Sequence, residues 1–171
     1  MKKLFLIIIL LVGVSAGSYA QKFALIDMEY ILNNISSYET ANEQLEALSK
    51  KWQAEVEAGQ QEVQSMYKSY QADLVFLSGD QKTKRENEIV AKEKALQELK
   101  NKYFGPEGEL FKRREALIQP IQDEIYEAVK AVSEAKGYQL VIDRSSAESV
   151  IFASPKIDIS NEVLAKMGYS K

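Results

Sequence analysis

The chain is predicted to be α+β: a small β-strand body carrying a long antiparallel helical hairpin, a coiled-coil arm. Three observations predict this. Two long, charged, helix-patterned runs cover residues 36–77 and 82–136. Short apolar, strand-like segments stand just before and just after them. Those strands are too short and too few to build a core of their own, and they meet only if the helices fold back on one another.

Lys2 and Lys3 open the chain, Leu4 to Val14 is apolar apart from Gly13, and Ser18-Tyr19-Ala20 places small residues at the two positions a signal peptidase reads. This is the pattern of a secretory signal peptide, residues 1–20, with cleavage after Ala20. The apolar run is shorter than the ~20 residues a spanning helix needs. No other segment is apolar enough to cross a bilayer, so the mature chain is expected to have no stable membrane span.

The chain has no cysteine, so disulfides, thiol chemistry and lipidation at cysteine are excluded. Once Lys2 and Lys3 are removed, 20 basic residues stand against 25 acidic ones, a net charge of −5. The basic clusters Lys82-Thr83-Lys84-Arg85 and Lys112-Arg113-Arg114 are both flanked by acids. A nucleic-acid binder would need a concentrated basic face, and none is predicted.

Phe23-Ala24-Leu25-Ile26 reads as a buried strand ending at Asp27, followed by a helical turn or two over Met28 to Asn34. Ser36 with Glu39 is a capping-box signature for the first long helix. That helix repeats every eleven residues, through Ala41, Trp52, Val63 and Leu74 and through Leu45, Val56 and Tyr67. Leu48, Gly59 and Tyr70 form a third such set. An eleven-residue period averages ~3.67 residues per turn, so the stripe runs nearly straight. The helix is about 40 residues long, ~60 Å, and needs a partner.

Ser78-Gly79-Asp80-Gln81 is the turn: Gly79 suits a left-handed helix end, and Ser78 with Gln81 suits the next cap. The return helix carries Ile89, Leu96, Tyr103, Leu110 and Leu117, each seven apart. Glu88 with Lys92 and Glu98 with Lys102 are expected i, i+4 pairs. Gly105-Pro106-Glu107-Gly108 predicts a kink or short loop, because proline costs ~3 kcal/mol inside a helix. Pro120 is a milder break.

Gly137 ends this helix. Gln139 to Asp143 and Ser149 to Phe152 read as two strands of a hairpin turned over Ser145 to Glu148. Asp158 or Ser160 then caps a last helix, Asn161 to Met167. The body thus comprises residues 21–35 and 121–171, the arm residues 36–120, and three strands so short need neighbouring copies. Leu25, Val141 and Ile151 are the expected buried residues of the body.

There is no histidine, so Ser-His and Cys-His nucleophile arrangements and the common zinc sites are absent. Asp27 and Asp143 read as strand-end polar residues rather than an acid/base pair. No enzyme activity, cofactor or metal is expected. Leu74-Val75-Phe76-Leu77 is four apolar residues in a row at a helix end. Residues 100° apart cannot all face one partner helix. Either Phe76 and Leu77 fold over to close the hairpin end, or part of the cluster, with Tyr67 and Tyr70, stays exposed and contacts an apolar partner. Trp52 lies on the periodic stripe and is expected in the core.

The order of these features resembles the Skp/OmpH family of periplasmic chaperones, particularly the versions found in Bacteroidetes. The residues that carry the likeness begin with Phe23 to Asp27 leading into Tyr30-Ile31-Leu32, and Lys50-Lys51-Trp52. They continue with Lys102 to Phe111, Gln119 to Asp123, Lys136-Gly137-Tyr138 and Asp158 to Leu164. The resemblance implies a homotrimer, with the small β body as its trimerisation element. It further implies three helical hairpins around a cavity that holds unfolded outer-membrane β-barrel proteins without ATP, in the periplasm. Tyr67, Tyr70, Phe76 and Leu77 become candidate client contacts. The best-known members of that family are basic, whereas this mature chain is acidic. A structural or adhesion coiled coil of the envelope is the alternative from another class. It would have no use for the apolar excess at the tip.

Overall fold

A computed structural model describes residues 21–147 and 149–169. The leader-peptide expectation lies outside these residues. The chain parts into two compact units, residues 35–125 and the segments on either side of them.

The fold class is α+β, with long helices and one small sheet. In the unit that holds both chain ends, β1 (Lys22–Ile26) pairs with β2 (Tyr138–Asp143). The pairing is parallel and runs from Lys22↔Tyr138 to Ile26↔Asp143, with an irregularity after Lys22. Ala24, Leu25 and Ile26 are buried because apolar residues fill three consecutive positions of β1. Next come α1 (Met28–Asn33) and, near the C-terminus, α5 (Ser160–Lys166), which pack on each other. Ile31 of α1 and Val163 of α5 are fully buried, as is Ile159, the residue just before α5.

The expected third strand is not present. Among the described residues the sheet has two strands, and Ser149 to Phe152 is turn and coil. The other edge of β1 instead takes Asp158 in an isolated bridge to Leu25, and the Ile159 amide donates to the Leu25 carbonyl at 2.9 Å. The chain also fails to reverse as a tight hairpin after β2. The Arg144 amide donates to the Ile26 carbonyl, continuing the parallel ladder, and its guanidinium turns back to Asp27 and Asp158. Leu25 is buried, Val141 half-buried and Ile151 wholly exposed in the single chain. So Ile151 is no part of the chain's own core.

The other unit contains α2 (Ser36–Asp73), α3 (Gly79–Phe104) and the first part of α4 (Glu109–Lys136). Helices α2 and α3 pack together. The eleven-residue stripe supplies the buried residues of α2: Ala41, Leu45, Val56 and Val63. Ile89 is buried from α3. Trp52 stacks on Tyr103, with ring centres 4.8 Å apart and planes within 8°. The Tyr103 hydroxyl donates to Glu55 at 2.5 Å, tying α3 back to α2.

Several local expectations change. Ile35, not Ser36, occupies the N-cap of α2, and no side chain caps it. Buried Ile35 fixes the chain's entry, and its carbonyl takes the amides of Tyr38 and Glu39. Gly79 does not end α2. It is the first residue of α3, behind a Ser78/Gln81 capping box, and the Phe76 amide closes the turn on the Asp73 carbonyl at 2.8 Å. Lys92 pairs with Glu62 of α2 at 2.6 Å rather than with Glu88. Glu98 pairs with Lys94, while Lys102 sits over the Tyr103 ring. The run Gly105 to Gly108 is a true break between α3 and α4, whereas Pro120 lies inside α4.

Gly137 joins α4 to β2 with φ +72°. A Cβ would meet no neighbour there, so the requirement is purely conformational. Gly137→Ala is expected to cost about 1 kcal/mol, the ordinary penalty of a left-handed alanine. A urea titration reads this directly, and an unchanged midpoint would contradict it.

Candidate interaction surface

The turn between α2 and α3 gathers most of the candidate residues. Tyr67 and Tyr70 lie one turn apart near the end of α2. The Tyr67 hydroxyl donates to Glu93 at 3.1 Å, and that of Tyr70 donates to Glu86. Donation to a carboxylate favours the neutral phenol and holds both tyrosines above their ordinary pKa of about 10. Both phenols therefore stay protonated through the neutral range. Together with the Lys92–Glu62 ion pair, they clip the two helices together.

Beyond these clips the chain is bare. Leu74 is 38% exposed, Val75 87% and Phe76 85%. Leu77 is half-buried. Of the two residues that could fold over the hairpin end, Leu77 is half-buried and Phe76 stays exposed. Tyr67 and Tyr70 are committed through their hydroxyls to α3 and offer only ring surface. At this turn the most exposed pair is Val75-Phe76. Val75 was visible only as one member of the apolar run and is as bare as Phe76.

A second apolar surface belongs to the other unit. Ile151 is 100% exposed, Phe152 86%, Phe23 47% and Leu140 48%. Phe23 and Leu140 are partners across the parallel ladder. Phe152 was legible only as the end of the expected strand.

The same unit carries a polar knot. Asp27 caps α1 by accepting the Tyr30 amide at 2.9 Å, and its other oxygen takes the Arg144 guanidinium at 2.9 Å. Arg144 also reaches Asp158 at 3.4 Å. Asp158 in turn accepts the Ser160 amide and hydroxyl, but the N-cap of α5 is Ile159 and no side chain caps it, so neither Asp158 nor Ser160 takes the expected capping role. Asp143 accepts the amides of Met28 and Ser145 at 3.0 Å and the hydroxyls of Ser145 and Ser146 at 2.7 Å. This is a fastening, with every carboxylate spent on local donors. Among the described residues no cluster of acidic side chains is placed to hold a metal. No helix among them is long and apolar enough to cross a membrane.

Asp143 yields a pH prediction. Burial pushes its carboxyl up, but the four donated hydrogen bonds outweigh that and hold it below its ordinary value. A lowered native pKa means the stabilisation is present above about pH 4 and is lost as pH falls through the native value. Asp143→Ala should therefore destabilise this unit by about 2 kcal/mol at pH 7, since it strands a partly buried amide at Met28. The deficit should shrink below about pH 4. Hydrogen exchange at the Met28 amide, followed against pH, checks both parts. A deficit independent of pH would refute the assignment.

These parts define a protein of long paired helices joined to a small parallel sheet, with apolar surface left bare at a helical turn and beside the sheet. The OmpH-like outer membrane protein family model matches residues 22–167. The chain belongs to the OmpH-like family. It is 28% identical over 160 residues to the chaperone protein Skp of Yersinia enterocolitica, covering 92% of this chain and 93% of that one. It is 27% identical over 163 residues to the chaperone protein Skp of Photorhabdus luminescens, covering 90% of each. An OmpH-like crystal structure from Caulobacter crescentus superposes with a TM-score of 0.67 over 87% of this chain and 85% of its own, at 17% identity. That last likeness is one of fold.

Proposed function

We propose that this protein is an ATP-independent holdase of the periplasm. It is exported by a signal peptide cleaved after Ala20. It works as a homotrimer whose body is built from residues 21–35 and 121–171. Three hairpin arms, residues 36–120, enclose a cavity that holds unfolded outer-membrane β-barrel proteins. The client contacts include Phe76 and Leu77 and the ring faces of Tyr67 and Tyr70, with Val75 added. Leu25, Val141 and Ile151 belong to the subunit contact, with Phe152 beside them.

The observation that carries the reading is the bare Val75-Phe76 pair at a well-capped helical turn. An exposed apolar patch costs solubility unless it serves an interaction. Membership of a family whose relatives are chaperones supports the same reading. The acidic mature chain argues for capture by apolar contact, with weak dependence on salt.

The test is aggregation of a urea-unfolded outer-membrane β-barrel diluted into buffer without nucleotide. Stoichiometric amounts of the mature protein should suppress the light scattering. Equal scattering with and without the protein would overturn the holdase reading and favour an envelope coiled coil.

A further inference from the structure

We propose that α2 and α3 form a groove that takes an extended stretch of unfolded polypeptide and grips its backbone through glutamine side-chain amides. The proposal rests on the holdase reading and gives that reading a chemical handle distinct from the tip.

The groove is on the surface of the hairpin itself. One concavity of ≈ 660 Å³ is lined by Gln60, Gln61 and Gln64 of α2 and by Leu96, Gln97 and Lys100 of α3. A second, of ≈ 360 Å³, is lined by Gln53, Val56 and Phe104. Glu57, Gln60 and Lys100 line both, so the two are continuous. Helical spacing explains the arrangement. Gln53, Gln60 and Gln64 are separated by seven and four residues and so share one side of α2, next to the buried stripe of Val56 and Val63. Where the stripe would call for another large side chain there is Gly59, and a Cβ on it would lie 2.9 Å from Leu96 Cδ1. Leu96 therefore sinks against α2 and leaves the glutamines standing as walls. From Gln53 to Tyr67 the helix rises ~21 Å, the length of about six residues of extended chain.

The chemistry of these walls selects the occupant. Gln60, Gln61 and Gln64 make no hydrogen bond within the described residues. Gln97 donates one bond, to Asn101, and keeps its carbonyl. A primary amide both donates and accepts, matching the N–H and C=O that every residue of an unfolded chain presents whatever its sequence. A folded protein has paired most of those groups and offers nothing to such walls. The apolar lining of Val56, Val63, Leu96 and Phe104 suits the alternate side chains of an extended segment. Charge is nearly balanced, with Lys100 among Glu57 and Glu93, so a basic or acidic ligand has no advantage.

The experiment uses the full mature protein and a fluorescent ten-residue peptide of alternating apolar and polar residues with no net charge. A second peptide carries N-methyl groups at alternate residues, which removes backbone donors. Wild-type protein should bind the first peptide about fivefold to tenfold more tightly than the second. Gln60→Ala with Gln64→Ala keeps the helix and should lose about the same factor toward the first peptide. It should show little further loss toward the second. A photo-crosslinker at Gln64 should capture the peptide, and one at exposed Ser65, outside the lining, should not. Equal affinity for both peptides, wild-type affinity in the variant, or capture of a second copy of the chain in place of the peptide overturns the groove. If β-barrel aggregation is still suppressed in that case, the holdase reading survives the groove's failure. If wild-type protein neither suppresses aggregation nor binds either peptide, both fall.

Discussion

Changing Val75 and Phe76 together to serine should lower the affinity for an unfolded β-barrel protein by at least about tenfold, with the folded protein almost untouched. Both side chains are more than four-fifths exposed, so their removal leaves no cavity, and surface changes of this kind ordinarily stay within about 0.5 kcal/mol. The same two side chains, once covered by a client, each contribute up to about 1.5–3 kcal/mol. Half of that for the pair exceeds the ~1.4 kcal/mol that makes a factor of ten.

Tyr70 makes a less decisive target than Phe76. Its hydroxyl is spent on Glu86 of α3, so Tyr70→Ser loosens the hairpin as well as the surface. Tyr70→Phe removes the clip alone and should leave capture intact. Fluorescence titration of a labelled client against the variants separates these effects. If the Val75/Phe76 double variant binds normally while affinity collapses between low and moderate salt, charge on the helix faces does the capturing and the tip does not.

The parts of the fold written in local pattern were legible. The eleven-residue stripe, Ser78 with Gln81, the Gly105-Pro106 break and the stop at Gly137 each depend on residues a few positions apart. What was misread depends on distant partners. The parallel pairing of Lys22–Ile26 with Tyr138–Asp143 joins the two ends of the chain, and nothing near either strand specifies its direction. Ser149 to Phe152 carries the composition of a strand, yet the free edge of β1 is taken by Asp158. Ser36 with Glu39 fits a capping box by spacing, but burial of Ile35 moved the cap one residue back.

The candidate surface divides the same way. Four apolar residues in a row announced the tip without the structure. That Tyr67 and Tyr70 face Glu93 and Glu86 follows from the register of α2 against α3, as does the close approach of Leu96 to Gly59. Register is a tertiary quantity, and the pattern of either helix alone leaves it open.

Ile151→Asp with Phe152→Asp should convert the proposed trimer to monomers at micromolar concentration while leaving each subunit folded. Neither side chain is buried within its own chain, so the substitution removes no internal packing. The circular dichroism of the helices should match that of the parent. What it removes is apolar surface lying in the same unit as the half-exposed ladder pair Phe23 and Leu140. A unit with a two-stranded sheet has too little core to leave four such side chains in water without consequence. Covering Ile151 and Phe152 contributes up to about 1.5–3 kcal/mol each, and a homotrimer repeats that gain in every subunit. An aspartate in the same place must shed its hydration to be covered, at several kcal/mol unless it finds a partner. The balance between subunits then reverses, while the balance within each subunit does not move. Sedimentation equilibrium of parent and variant decides it. A parent that runs as a monomer, or a variant that remains trimeric, would place the subunit contact elsewhere on the chain.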